Sequence, residues 1–123
     1  MPKKKILVVE PEKSLLELES MLLTAKGYEV RGVTGGQAAL DALAEESPDL
    51  VLLAIMLPEL DGFEVCRLIK SEMSTKHIPV IMLTAKKTLK DMERGQEVCV
   101  DGYITKPFKP AMVIEAIQKF LNK

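Results

Sequence analysis

Cysteine is scarce in this chain. Cys66 and Cys99 are the only two among 123 residues. They fall in different predicted elements, lack CxxC spacing, and have none of the histidine partners that a zinc or thiol-nucleophile site needs. Both are read as reduced structural thiols. Histidine is scarcer still: His77 stands alone in a loop before Ile78-Pro79, a surface residue with no ligand set around it. An excess of one charge is also missing. Lys plus Arg number 17 against 18 Asp plus Glu, a formal net charge of -1, so no general field draws in nucleic acid or an anionic membrane. The run Lys3-Lys4-Lys5 reads as a solvated entry to a strand. Long apolar runs are absent, which excludes a membrane span and a signal peptide and gives cytoplasm as the expected compartment. No Gly/Ser-rich linker, repeat or composition shift appears, so the expectation is one domain over residues 1–123, with nothing marking an output domain.

What is present is an ordinary globular composition, 47% hydrophobic and 28% charged, arranged as alternating strand and helix signals. Apolar runs suited to strands buried on both faces occur at Lys5 to Val9, Asp49 to Ile55 and Ile78 to Leu83, with shorter candidates at Tyr28 to Val33 and Gly102 to Thr105. Helical spacing links Leu15, Leu18, Leu22 and Ala25; then Ala38, Ala39, Ala42 and Leu43; then Val65, Leu68 and Ile69; then Met112, Ile114, Ile117 and Leu121. Ser14 with Glu17 and Thr34 with Gln37 fit capping boxes, and Asp61 with Glu64 is an acidic version. Pro11 and Pro110 suit first-turn positions. Five strand and helix alternations predict a parallel sheet covered on both faces, a three-layer α/β sandwich.

In open parallel sheets ligands bind beyond the C-terminal strand ends. Here those ends carry Glu10-Pro11-Glu12, Ala54-Ile55-Met56, Thr84-Ala85 and Lys106-Pro107. A carboxylate, a hydroxyl and an ammonium are thus expected to converge around a methyl group.

The stretches "KILVVEPE", "PDLVLLAIMLPELDGFEVC", "IPVIMLTA" and "DGYITKPF", in this order and spacing, resemble the receiver domain of two-component response regulators. The resemblance covers essentially the whole chain. It implies a flavodoxin-like (βα)5 fold with strand order 2-1-3-4-5. It also implies a crevice in which an acidic pair after the first strand and an aspartate ending the third hold Mg²⁺. That aspartate takes a phosphoryl group, while a lysine after the fifth strand and a hydroxyl after the fourth neutralise and bind it. Matched onto this chain, the lysine is Lys106, the hydroxyl Thr84, and the aromatic that moves with it Tyr103.

Two positions depart from that pattern. Ala54 stands where the phosphoacceptor belongs, and Pro11 holds the second place of the acidic pair. Three carboxylates against one lysine would invite a divalent cation; Glu10 against Lys106 leaves no excess charge. Glu10 remains a weak candidate ligand, expected instead to be a partly solvated acid paired with Lys106. No cofactor is expected, and Mg²⁺ affinity is expected to be lost or very weak. Asp61, the nearest acid in sequence, reads as an N-cap.

The expected function is therefore a non-enzymatic pseudo-receiver, a protein-binding module independent of phosphorylation. Its partner would sit on the face that the resemblance assigns to the fourth helix, fifth strand and last helix, through exposed residues of 88–96 and 111–119. An alternative is an ordinary phosphotransfer receiver whose aspartate was replaced by Ala54 through engineering, although Pro11 is no part of such a design. A flavin or nucleotide carrier would need a Gly- or hydroxyl-rich phosphate loop after the first strand, where "EPEKS" stands.

Overall fold

The computed structural model describes residues 3–84, 100–105 and 109–121. Five strands, β1 (Lys5–Val9), β2 (Glu29–Val33), β3 (Leu50–Ala54), β4 (Val80–Thr84) and β5 (Gly102–Thr105), form one sheet with helices α1 (Lys13–Ala25), α2 (Gly36–Glu45), α3 (Gly62–Ser71) and α4 (Pro110–Leu121). All strand pairs are parallel and the order is β2-β1-β3-β4-β5, as expected. The fourth helical segment proposed from sequence, 88–96, lies outside the described residues.

β1 and β3 are apolar without alternation because both faces are covered. Leu7, Val9, Val51, Leu53 and Met82 face α2 and α3 with Ala39, Ala42, Phe63, Cys66 and Ile69. Ile6, Val8, Leu50, Leu52, Ile81 and Leu83 face α1 and α4 with Leu23, Tyr28, Val113 and Ile117. β2, at the edge, exposes Glu29 and Arg31. Charges on an edge strand discourage pairing with another chain. Basic residues of β1 and β2 also tie down the end of α2: Lys5 Nζ lies 2.8 Å from Glu46 and Arg31 Nη2 2.6 Å from Glu45. The hydrogen bond from Lys5, then its charge, holds the Glu46 carboxyl below its usual range. Glutamates at the negative end of a helix dipole would otherwise be unfavourable.

Helix ends partly follow the expected chemistry. Asp61 caps α3, its Oδ1 accepting from Glu64 N at 2.9 Å, and Pro110 is the first residue of α4. The other two capping boxes do not form. α1 starts at Lys13 after Glu12, so Ser14 is already inside the helix and its hydroxyl donates to Glu12 Oε1 at 3.2 Å. Pro11 accordingly precedes the helix instead of opening it. α2 is preceded by Gly35, and no side chain caps it, so Thr34 falls one residue short. The C-terminus of α1 closes on Gly27 at φ 94°, with Tyr28 N donating to Leu23 O and Gly27 N to Thr24 O. This 6→1 and 5→2 pair is a Schellman turn, and Tyr28 and Leu23 then pack in one core cluster.

Candidate functional site

The C-terminal strand ends meet where the register brings Val9 beside both Leu53 and Val33, and Ala54 beside Leu83. Glu10 extends β1 by one rung, its N–H donating to Val33 O at 3.0 Å. The residue is 2% exposed, and its Oε2 accepts from Glu12 N at 3.3 Å, at the start of α1. Glu10 is therefore buried, which corrects the expectation of a partly solvated acid. The strand continuation fixes its backbone, and the turn into α1 folds over its side chain. A helix N-terminus stabilises an acid placed there.

Ala54 ends β3 and is 4% exposed. Its neighbours Leu53 and Ile55 both point into the α2 and α3 core, so strand alternation turns them to the opposite face from Ala54. The loop that follows is fastened by main chain. Gly62 N donates to Ile55 O at 2.7 Å. A Cβ on Gly62 would collide with the Ala54 carbonyl oxygen and lie 2.8 Å from Ile55 Cα. Only glycine allows that approach. Within the loop Glu59 adopts φ 69°, a left-handed conformation unfavourable for a residue that carries a Cβ.

Pro11 is half-buried beside Glu10 and has no ligating side-chain atom. Positions 10, 11 and 54 together supply one carboxylate, and no group of three His, Cys, Asp or Glu able to hold a metal occurs among the described residues. One carboxylate is the least that a divalent cation takes in addition to substrate oxygens, and Glu10 Oε2 already accepts from Glu12 N. Asp61 is occupied as a helix cap, the role expected of it. Thr84 ends β4 opposite Thr105; its side chain and Lys106 lie outside the described residues, and so does the expected Glu10–Lys106 pair. Tyr103, on β5, is 36% exposed. His77 is exposed, and Cys66 is buried without a disulfide, while Cys99 lies outside the described residues.

At the opposite end of the sheet, sequence reasoning missed a repeated device. Asp49, just before β3, accepts from Lys5 N at 2.7 Å through Oδ2 while its own N–H donates to Lys5 O at 2.8 Å. Asp101, just before β5, does the same with Val80, at 2.7 and 3.0 Å. Lys70 Nζ joins the second clasp, donating to Asp101 Oδ2 at 2.8 Å and to Ile78 O at 2.7 Å. The available signal was an aspartate directly preceding an apolar run in both "PDLVLLA" and "VDGYIT".

A family profile described as the response regulator receiver domain matches residues 6–118. The chain is 37% identical over 121 residues to the DNA-binding response regulator MtrA of Mycobacterium leprae, covering 98% of this chain and 52% of that protein. It is 40% identical over 120 residues to the alkaline phosphatase synthesis transcriptional regulatory protein PhoP of Bacillus subtilis, covering 98% and 49%. The chain thus spans about half the length of the curated relatives it matches. Among solved structures, a response regulator receiver domain protein (CheY-like) from Methanospirillum hungatei superposes with a TM-score of 0.93 at 26% identity, covering 98% of this chain and 95% of that one.

Proposed function

The chain belongs to the response regulator receiver domain family, and from that premise we propose that it serves two-component signalling as a protein-binding module that works without aspartyl phosphate. One observation carries the reading: Ala54 closes β3 at the sheet end, buried, with no carboxylate able to take its place from the same strand. Nucleophilic phosphoryl transfer needs an oxygen nucleophile there, and Pro11 withholds a ligand that would screen the incoming charge. On this reading Glu10, Thr84 and Lys106 are remnants kept by packing and hydrogen bonding, and Mg²⁺ binding is lost or very weak. The domain then has no chemistry of its own, and partner binding or concentration sets its conformational equilibrium.

The partner is assigned to the face of β5 and α4. Tyr103, Ile104, Met112, Glu115, Ala116 and Lys119 line an open groove there, and Met112 is half-exposed. A Met and a Tyr beside charged residues suit a protein partner. No nucleic-acid contact is assigned to this domain, whose charges nearly balance. No described helix is long and apolar enough to cross a membrane.

The test is the intact mass after incubation with Mg²⁺ and acetyl phosphate. No added phosphoryl group is expected. A labile, stoichiometric adduct would overturn the reading, and Asp61→Asn would then show whether that capping acid had become the acceptor.

A further inference from the structure

Helix α1 has two apolar sides, and the core takes only one of them. Leu23 is buried in the cluster between α1, α4 and the sheet, and Leu16 packs against that cluster. Glu19, on the same side, is 2% exposed. The spacing that marks this helix in the sequence selects other residues: Leu15, Leu18, Leu22 and Ala25, at i, i+3, i+7 and i+10. None of these joins either core cluster of described residues. Leu18 is 50% exposed and Met21, beside them, 69%; Leu15 and Leu22 are half-buried and Ala25 is exposed. Steps of three and four residues keep such side chains on one line along a helix, as in the seam of a coiled coil. Scattered exposed apolar residues are ordinary, but four large ones on one line form a patch.

The charges at the two ends of this stripe are ordered. Glu12 precedes the first turn, and its Oε1 accepts from Ser14 Oγ at 3.2 Å. Ser14 stands four residues before Leu18 and seven before Met21, so the carboxylate lies at the N-terminal end of the stripe. Lys26, four residues after Leu22, is the C-cap of α1 and marks the other end. Both are exposed, and neither forms an ion pair among the described residues. Between them the stripe carries no charge: Lys13 and Glu17 fall by their spacing on a third side of the helix, and Glu19 turns into the fold.

We propose that this face of α1 binds the same face of a second copy of the chain, the two helices packing antiparallel about a two-fold axis. An acid at one end, a base at the other and apolar side chains between make the stripe its own complement in that direction only. Glu12 of each copy meets Lys26 of the other, Leu18 packs on Leu22, Leu15 on the small Ala25, and Met21 lies against Met21 at the axis. A parallel pair would instead set acid beside acid and base beside base, which is repulsive. A two-fold contact is isologous, so each pairing is made twice, and the antiparallel arrangement also sets opposite ends of the two helix dipoles together. The 13 residues of α1 span about 20 Å. One helix pair of that length is a small interface, so the dimer is expected to be weak, dissociating in the micromolar range.

Sedimentation of the whole chain at low salt, from micromolar to near-millimolar concentration, is expected to show a monomer and dimer in equilibrium. Leu18→Lys and Met21→Lys, both at exposed positions and so compatible with the fold, should each abolish the dimer. Glu12→Lys or Lys26→Glu alone brings like charges together twice and should weaken it about tenfold. The double variant Glu12→Lys, Lys26→Glu exchanges the two ends and should restore it. A chain that stays monomeric throughout would overturn the proposal and leave the stripe to a different protein. A dimer that both lysine variants leave intact would overturn it and place self-association on another face, such as β5 and α4. So would a double variant that dimerises no better than the single ones. The inference stands on packing and charge alone, so a phosphoryl adduct in the mass experiment would defeat phosphorylation independence and leave these results standing.

Discussion

At position 54 a methyl group occupies the crevice whose remaining acid, Glu10, is buried, and this decides the effect of putting a carboxylate back. A second carboxylate beside a buried acid adds negative charge with no cation among the described residues to offset it. We predict that Ala54→Asp in metal-free buffer leaves stability unchanged or lowers it by up to about 2 kcal/mol; a clear rise in melting temperature would contradict the account. Glu59 gives the opposite case. Its φ of 69° is unfavourable for any residue with a Cβ, so Glu59→Gly should stabilise by up to about 1 kcal/mol in urea titration, after the extra chain entropy is subtracted. Neither feature was fully legible in the sequence. The methyl at 54 and the proline at 11 could be read directly, but the burial of Glu10 depends on how the turn into α1 folds over it. No residue type at 59 announces a left-handed backbone.

Elements are joined by the aspartate clasps, and these rank by what each would leave behind. Asp101→Ala strands the Val80 N–H and removes the counter-charge of the Lys70 ammonium, whose side chain is only 16% exposed and which keeps its bond to Ile78 O. It should cost about 2–4 kcal/mol by denaturant unfolding. Asp49→Ala strands one backbone N–H and should cost about 1–2 kcal/mol. If the two variants proved equal, Lys70 would contribute nothing to the brace. Strand positions are legible in the sequence because continuous apolar runs bounded by turn residues allow few alternatives: β1 and β5 lie where the sequence places them, and β3 and β4 differ only at their ends. Helix starts are less so. Ser14 and Thr34 satisfy the capping pattern, yet the chain enters α1 and α2 through Glu12 and Gly35, because the strand-to-helix turns fix where helical geometry can begin.

For the molecule as a whole, burial of Tyr28 links stability to alkaline pH. Tyr28 is 8% exposed, and burial raises its pKa above the usual 10.0. The folded state therefore holds the proton more tightly than the unfolded chain does. This contribution to stability is intact below about pH 10 and is lost as pH rises from there through the folded value, because the unfolded tyrosine ionises first. Tyr28→Phe should flatten that decline in melting temperature above about pH 10; an unchanged slope would place the alkaline loss elsewhere. Strand order was legible at this scale through the resemblance, since four motifs in register specify one topology. The groove on β5 and α4 was not, because a groove depends on which half-buried side chains leave space between elements. One feature of the crevice bears on history. Gly62 closes against the carbonyl of Ala54, and its N–H reaches Ile55 O, so the frame around position 54 is fastened by main-chain contacts that any side chain there leaves in place. A single base change converts an aspartate codon to an alanine codon. On the proposed reading, such a mutation would silence the chemistry and leave a foldable protein on which selection for binding could continue to act.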